Sequence, residues 1–349
     1  MRIVILPLYG FGDVLMSTPA LRNLKEQTGA HIAYLHMFTT TRDILIGNPY
    51  VDENIHFPFL DASRLEGIRF LLRFRKKFDA SINFYPSNRK DYNMAAFIIG
   101  APLRLGHRYV LRDIREWNFL KNRTLREDDG LHNVEEDLRL LDFLGIGQKT
   151  PYPLEIYLSD DERHYAEGWL KERNASGRPI LGLHPGSSVF KAHTQKRWPG
   201  EKFAPLLRKL GALYPDLLFF LFGGKEEDPL KQELKETSGL GDRVVPVSVD
   251  TVRQTAAIME HCKAFVTNDS GLMHLSAALQ LPTVALFGPT NPRWLRPWQC
   301  SHKVIRHGDC PPCFRYSPIP QRCLAKTNFS CVREIPLEEV LEAVVSFLG

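Results

Sequence analysis

Short apolar runs that close on small or polar residues alternate with segments of helical period along nearly all of this 349-residue chain. The second half shows the rhythm most clearly. "RPILGLHPG", "LLFFLFGG", "RVVPVSV", "KAFVTND" and "PTVALFG" are brief apolar, β-branched or aromatic runs. Between them lie "EKFAPLLRKLGALYP", "DPLKQELKETSG", "DTVRQTAAIMEHC" and "GLMHLSAALQ", with apolar positions three and four apart. Such alternation implies parallel strands joined by crossover helices, an α/β doubly wound sheet. A sheet of that kind binds its ligand beyond the carboxyl ends of its strands.

The first half follows the same plan. "RIVILPL" and "HIAYLHM" read as strands around the helical "GDVLMSTPALRNLKEQTG", followed by "RLEGIRFLLRFRKKF", the strand "DASINFYP" and the helix "DYNMAAFIIG". A long helix, "LHNVEEDLRLLDFLGI", closes this half, and Pro151 and Pro153 mark a change of character. The length suits two domains. We expect one over residues 1–165 and a second over 175–335, with the linker between Gly147 and Arg178 and an amphipathic helix over 336–349.

Apolar content of 44% and a net charge of +5 fit a soluble globular chain, and no apolar run approaches the roughly 18 residues of a membrane helix. The opening "MRIVILPLYG" reads as a buried strand and not as a signal peptide, so a cytoplasmic location is expected. Charge is unevenly distributed. From Arg64 to Arg126 there are fifteen Lys and Arg against five Asp and Glu, a net +10. That stretch is either a solvated face or a docking surface for an anionic partner. Four of six cysteines, Cys310, Cys313, Cys323 and Cys331, are spaced C-x2-C-x9-C-x7-C. This is half of a usual structural zinc pattern, and a reducing compartment disfavours disulfides. A structural metal or redox-sensitive knot is weighed against ordinary free thiols.

Polar clusters close three of the second-half strands. In "HPGSSVFKAHTQKRWP", Ser187 and Ser188 follow Gly186, and Lys196 precedes the next helix; small residues admit an anion to the backbone and the lysine adds a point charge. In "FGGKEEDP", Glu226 stands where a carboxylate can accept ribose hydroxyls, whereas Glu227 and Asp228 read as charges complementing a helix dipole. In "TNDSGLMHLSAALQ", Asp269 and Ser270 end a strand, Gly271 opens a helix whose N-terminus suits phosphate, and His274 lies in its first turns. In the first half, Asp13 of "GFGDVL" is a helix cap or a catalytic base.

The ordered set "GDVLMSTPAL", "HPGSS…KRWP" and "NDSGLMHLSAALQLPTVALFGPTNP" resembles glycosyltransferase family 9, the ADP-heptose:lipopolysaccharide heptosyltransferases, over nearly the whole chain. It is closer to members adding the second inner-core heptose than to those adding the first. The resemblance implies a GT-B fold, two Rossmann-like domains facing across a cleft, with the acceptor in the first and the ADP-sugar in the second. It implies inverting heptose transfer with Asp13 as general base. Lys196, together with the Ser187 and Ser188 region, would meet the donor phosphates and Glu226 the ribose, and Asp269, Ser270, Gly271 and His274 would complete the donor site. No metal cofactor is implied. The basic stretch would serve the anionic lipopolysaccharide acceptor, through Arg89, Arg104 and His107, or anionic lipid at the inner membrane, through Arg69, Arg73, Arg75, Lys76 and Lys77. Some members also carry a cysteine-containing tail.

Competing expectations are a nucleotide-sugar epimerase or other GT-B enzyme, and a non-catalytic nucleotide-binding module in which Asp13 only caps a helix. "GFGDVL" lacks the third glycine of a nicotinamide fingerprint, and no zinc-finger or RNP-type motif accompanies the basic stretch to suggest nucleic acid.

Overall fold

In the computed structural model, which describes residues 1–6, 10–187, 194–316 and 321–349, the chain forms two compact units, Met1–Tyr157 and Leu158–Gly349. The first contains β1 (Arg2–Ile5), α1 (Phe11–Thr28), β2 (His31–His36), α2 (Thr39–Ile44), β3 (Glu53–His56), α3 (Arg64–Leu72), β4 (Ala80–Ile82), α4 (Lys90–Ile99), β5 (Leu103–Arg108), β6 (Arg123–Arg126) and α5 (Asn133–Leu140). Its six strands are parallel in the order β3-β2-β1-β4-β5-β6.

The second unit contains α6 (Asp160–Glu172), β7 (Ile180–His184), α7 (Gly200–Leu213), β8 (Leu218–Leu221), α8 (Asp228–Ser238), β9 (Val244–Pro246), α9 (Val252–Met259), β10 (Ala264–Asn268), α10 (Gly271–Ala278), β11 (Thr283–Leu286), α11 (Pro292–Leu295), β12 (His302–Ile305), α12 (Ser330–Arg333) and α13 (Leu337–Leu348). Its parallel order is β12-β11-β10-β7-β8-β9. Each sheet reverses its winding once, between β1 and β4 in the first unit and between β7 and β10 in the second. A crevice opens at such a switch because the connections on its two sides leave in opposite directions.

Burial explains the strands. Leu181, Leu183, Phe219, Leu221, Val266 and Val284 are buried on the second sheet, and Leu206, Leu207 and Leu210 of α7 close over them with Val340 and Val344 of α13. Burying one such side chain is worth about 1.5–3 kcal/mol. The final helix is therefore part of the second unit's core. In the first unit Val4, Leu6, Ala33 and Leu35 meet Leu71 of α3 and Ala95, Ala96 and Ile99 of α4.

Several boundaries differ from expectation. The proposed linker region contains α6, which starts at a Ser159–Glu162 capping box and is tied to α9 by Arg253 Nη2 at 2.6 Å from Glu162 Oε2. Residues 158–165 thus belong to the second unit. The helix expected through Ile146 stops at Leu140 and tightens into a 3-10 turn, Leu141–Leu144, before Gly145 at φ 81°. Pro19 sits inside α1, and the Asn23 side-chain amide donates to its carbonyl at 2.8 Å.

Candidate functional site

In the second unit, three strand ends converge at the switch point. His184 ends β7 beside Thr267 of β10 in register, and Asn268 and Asp269 follow. Asn268 is fully buried and holds the loops in place. Its amide donates to the carbonyls of Pro185 at 2.9 Å and Gly186 at 3.0 Å, while its oxygen accepts the Trp198 N–H at 2.8 Å. The segment carrying Lys196 is thereby fixed against the end of β10.

Lys196 and Asp269 form a buried ion pair, Nζ to Oδ2, at 2.7 Å. Burial alone would raise the Asp269 carboxyl, but the Lys196 charge and hydrogen bond hold it below the usual range. The lysine also lies 4.1 Å from the Phe314 ring centroid, a cation–π contact. Phe314 is itself seated by N–H bonds from Cys313 and Phe314 to the Pro289 carbonyl, at 2.8 and 2.9 Å.

Ser270 is the N-cap of α10, yet its hydroxyl does not cap the helix. It turns instead to His184 Nδ1 at 2.9 Å and Thr267 Oγ1 at 3.2 Å. The positive end of α10 is thus not neutralised by its own N-cap side chain. His274 lies one turn in, buried, with its Nδ1 unpartnered among the described residues. Burial pulls its pKa down to about 4, against the Asp269 charge and with help from Lys196, so the imidazole is neutral at pH 7.

The two neighbouring glutamates differ, and Glu227 does more than complement a helix dipole. Glu226 is exposed on the short turn after β8, whereas Glu227 is 5% exposed and holds the strand ends together. Its carboxylate accepts the Gly224 N–H at 2.9 Å and meets His184 Nε2 at 3.1 Å and Arg197 Nη2 at 3.3 Å. Burial would raise it, but His184, the Gly224 amide and Arg197 together hold it low. A Cβ at Gly186 would overlap that carboxylate, and Gly223 at φ 151° also passes close to it. Glu227 is therefore a structural brace and not merely a dipole complement. Arg197 also donates to the Ser187 hydroxyl at 3.2 Å and to its carbonyl. Ser188 lies outside the described residues. His184, Asn268, Arg197 and Glu227 were missed as network residues, although each adjoins or lies inside a motif already singled out.

In the first unit Asp13 is half-buried in the first turn of α1, at the carboxyl end of β1, and its Oδ2 accepts the Gly10 N–H at 3.3 Å. Asp137 of α5 lies close enough to feel its charge. Asp137 is fully buried and accepts the Tyr85 N–H at 2.6 Å; burial pushes its carboxyl well above the usual range, with Glu136 and Asp13 adding to the rise.

The three basic acceptor candidates part company. Arg89 is half-buried at the N-cap of α4, just beyond the carboxyl end of β4. Arg104 lies near the start of β5, and its guanidinium is taken by the carbonyls of Leu120 and Ala101 at 2.9 and 3.0 Å. His107 is fully buried and paired with Glu136 at 3.2 Å, its pKa lowered by burial against that partner. His107 thus holds the fold and is not presented to a ligand, whereas Arg104 is half-buried with its guanidinium engaged by backbone carbonyls. All six cysteines are free thiols, and no group of three or more His, Cys, Asp or Glu among the described residues is placed to hold a metal ion. No helix among them is long and apolar enough to cross a membrane.

The chain is similar along its length to known proteins. The lipooligosaccharide heptosyltransferase 2 of Campylobacter jejuni subsp. jejuni serotype O:2 is 32% identical over 97% of this chain and 95% of its own. The lipopolysaccharide heptosyltransferase 2 of Escherichia coli K12 is 27% identical over 96% of this chain and 99% of its own. Among solved structures, a glycosyl transferase family 9 protein from Veillonella parvula aligns with TM-score 0.83 at 24% identity, covering 99% of this chain and 96% of that one. The E. coli ADP-heptose lps heptosyltransferase II aligns with TM-score 0.74 at 24% identity, covering 100% and 98%, which shows a shared GT-B fold. The model of glycosyltransferase family 9 (heptosyltransferase) matches residues 75–322, and the chain belongs to that family of glycosyltransferases.

Proposed function

We propose that the protein transfers heptose from ADP-heptose to the inner core of lipopolysaccharide, in the manner for which its C. jejuni and E. coli relatives are named. The observation that carries the reading is the buried Lys196–Asp269 pair beside the uncapped N-terminus of α10. A buried ammonium and a helix N-terminus together stabilise a diphosphate, most of all when it leaves with the bonding electron pair. Ser187 and Ser270 supply hydroxyls beside it, Gly271 lets the backbone approach, and His274 offers a neutral nitrogen without a partner. The exposed carboxylate of Glu226 meets the ribose hydroxyls.

Asp13 is the general base of this reading. As the acceptor oxygen attacks the anomeric carbon, its proton passes to the Asp13 carboxylate, the new C–O bond forms, and the bond to the ADP oxygen breaks on the opposite face with inversion. Arg89 is the acceptor contact retained. No step is assigned to a metal ion, and the four late cysteines have no part in the chemistry. The reading sets the enzyme to work in the cytoplasm, peripherally on the inner membrane, where the lipid-linked acceptor presents its sugars.

The test is transfer from ADP-heptose to a Kdo-lipid A acceptor already bearing one heptose. Product that requires the acceptor supports heptose transfer. Free sugar or an epimer from donor alone supports the epimerase alternative, and tight ADP binding with no product from any acceptor supports a non-catalytic module.

A further inference from the structure

Exposed apolar side chains and unpaired cations concentrate on the same part of the first unit. Of the fifteen large hydrophobic residues that are exposed among the described residues, ten fall between Leu60 and Phe119, almost the same stretch that carries the excess positive charge. Scattered exposed leucines are ordinary, but a concentration of this kind marks an interaction surface.

The exposed residues lie on elements packed side by side. On α3, Gly67 and Leu71 point inward, and Leu71 joins the core. Leu65, Ile68 and Leu72, spaced i, i+3 and i+7, form a separate stripe that is 56%, 43% and 45% exposed. α3 packs beside α4, and α4 packs beside the turn at Asn118–Leu120. Those neighbours add Phe97 at 51% and Phe119 at 57% exposure. The loop ahead of the turn carries Val110, Leu111, Ile114 and Trp117, also exposed.

The charge beside the stripe is unneutralised. Arg64, Arg69, Arg73, Arg75, Lys76 and Lys77 are all exposed, and none has an ion-pair partner among the described residues. On the helix wheel Arg69 and Arg73 flank the apolar stripe on one side and Arg64 on the other. This is the arrangement of a helix lying in a lipid interface, with apolar residues among the acyl chains and cations at the headgroups. A second copy of the chain is a poor occupant. In a two-fold interface the same patch faces itself, so these cations would oppose one another.

We propose that α3, α4 and the Asn118–Leu120 turn form a docking face for an anionic lipid bilayer. The inference rests on the proposed function for its purpose, since a lipid-linked acceptor has to be met at a membrane, and on the side chains above for its evidence.

The experiment is co-sedimentation of the full chain with vesicles of phosphatidylcholine, or of phosphatidylcholine and phosphatidylglycerol. Binding to the anionic vesicles only, weakening with salt, is expected. Leu65→Ser/Ile68→Ser/Leu72→Ser should abolish it, and Arg69→Gln/Arg73→Gln/Lys77→Gln should weaken it by about 100-fold, at roughly one interfacial cation each. Leu213→Ser, equally exposed in the second unit, should bind as wild type does. Transfer to a deacylated, soluble acceptor in the same preparations separates the two claims. Both triple variants should retain it, and its loss in wild type would count against the proposed function alone. Absence of anionic-vesicle binding, equal binding to neutral vesicles, or binding indifferent to both triple variants overturns the proposal. Self-association through this face without vesicle binding would also overturn it, assigning the face to a second copy.

Discussion

Lys196 and Asp269, seventy-three residues apart in sequence, neutralise each other at 2.7 Å in a buried site beside the first turn of α10. Each ion is tolerated there only because the other is present. Lys196→Ala should therefore cost on the order of 3–5 kcal/mol of stability by stranding Asp269, and should also remove most ADP affinity. Adding Asp269→Asn should recover much of the stability but not the ADP binding. Thermal unfolding and ADP titration of both variants check this; joint recovery of stability and binding would show that the lysine serves the fold alone.

His274 gives the second unit an acid-sensitive element. Its folded pKa of about 4 lies below the unfolded value of 6.5, so the unfolded chain binds the proton first. Stability from keeping it neutral is full above about pH 6.5 and is lost as pH falls toward 4. At about 1.4 kcal/mol per pKa unit, the loss is on the order of 3 kcal/mol. His274→Gln should flatten this part of the Tm profile between pH 7 and 4. A profile as steep in the variant as in wild type would assign the acid response to other groups, such as His36, which burial also brings down to about 4.

The neighbouring glutamates should separate cleanly. Glu226→Gln should raise the KM for the ADP-sugar several-fold with Tm unchanged, because its carboxylate is exposed. Glu227→Ala should lower Tm, since it leaves His184 and the Gly224 amide without an acceptor and strips Arg197 of a partner; each lost buried hydrogen bond is worth about 1–3 kcal/mol. Equal effects of the two variants on KM and Tm would contradict this division.

Much of this molecule is legible in the sequence. β1, β2, β7, β8, β10 and β11 are nearly all apolar, and a run of that kind announces a strand buried on both faces. By contrast, β3 (ENIH), β5 (LRLGHR), β6 (RTLR) and β12 (HKVI) carry charged or polar residues and were not recognised. β3, β6 and β12 lie at sheet edges, where one side of the strand faces no neighbour and polar side chains are tolerated. Tertiary contact alone assigns such strands.

The site was legible as motifs but not as a network. Lys196 and Asp269 stand in separate motifs, and nothing in sequence spacing says that they pair. Glu226 and Glu227 are chemically identical neighbours, and the turn after β8 decides which is buried. Arg104 and His107 lie in a basic stretch near strand ends or loops, where the sequence suggests acceptor contacts; their partners in the fold are the carbonyls of Leu120 and Ala101 and the Glu136 carboxylate. On α3 the three- and four-residue spacing reads as a helix, and only the fold shows that Leu65, Ile68 and Leu72 face outward.

The central claim is that Asp13 takes the acceptor proton. Asparagine can still accept the Gly10 N–H that Asp13 accepts, so Asp13→Asn removes the base while keeping the hydrogen bond. The decisive measurement is kcat for heptose transfer to the Kdo-lipid A acceptor bearing one heptose, with Tm and ADP affinity measured on the same preparations. The account predicts a fall of at least about 100-fold in kcat with Tm and ADP binding unchanged. Wild-type turnover by Asp13→Asn would contradict it and return Asp13 to the capping of α1.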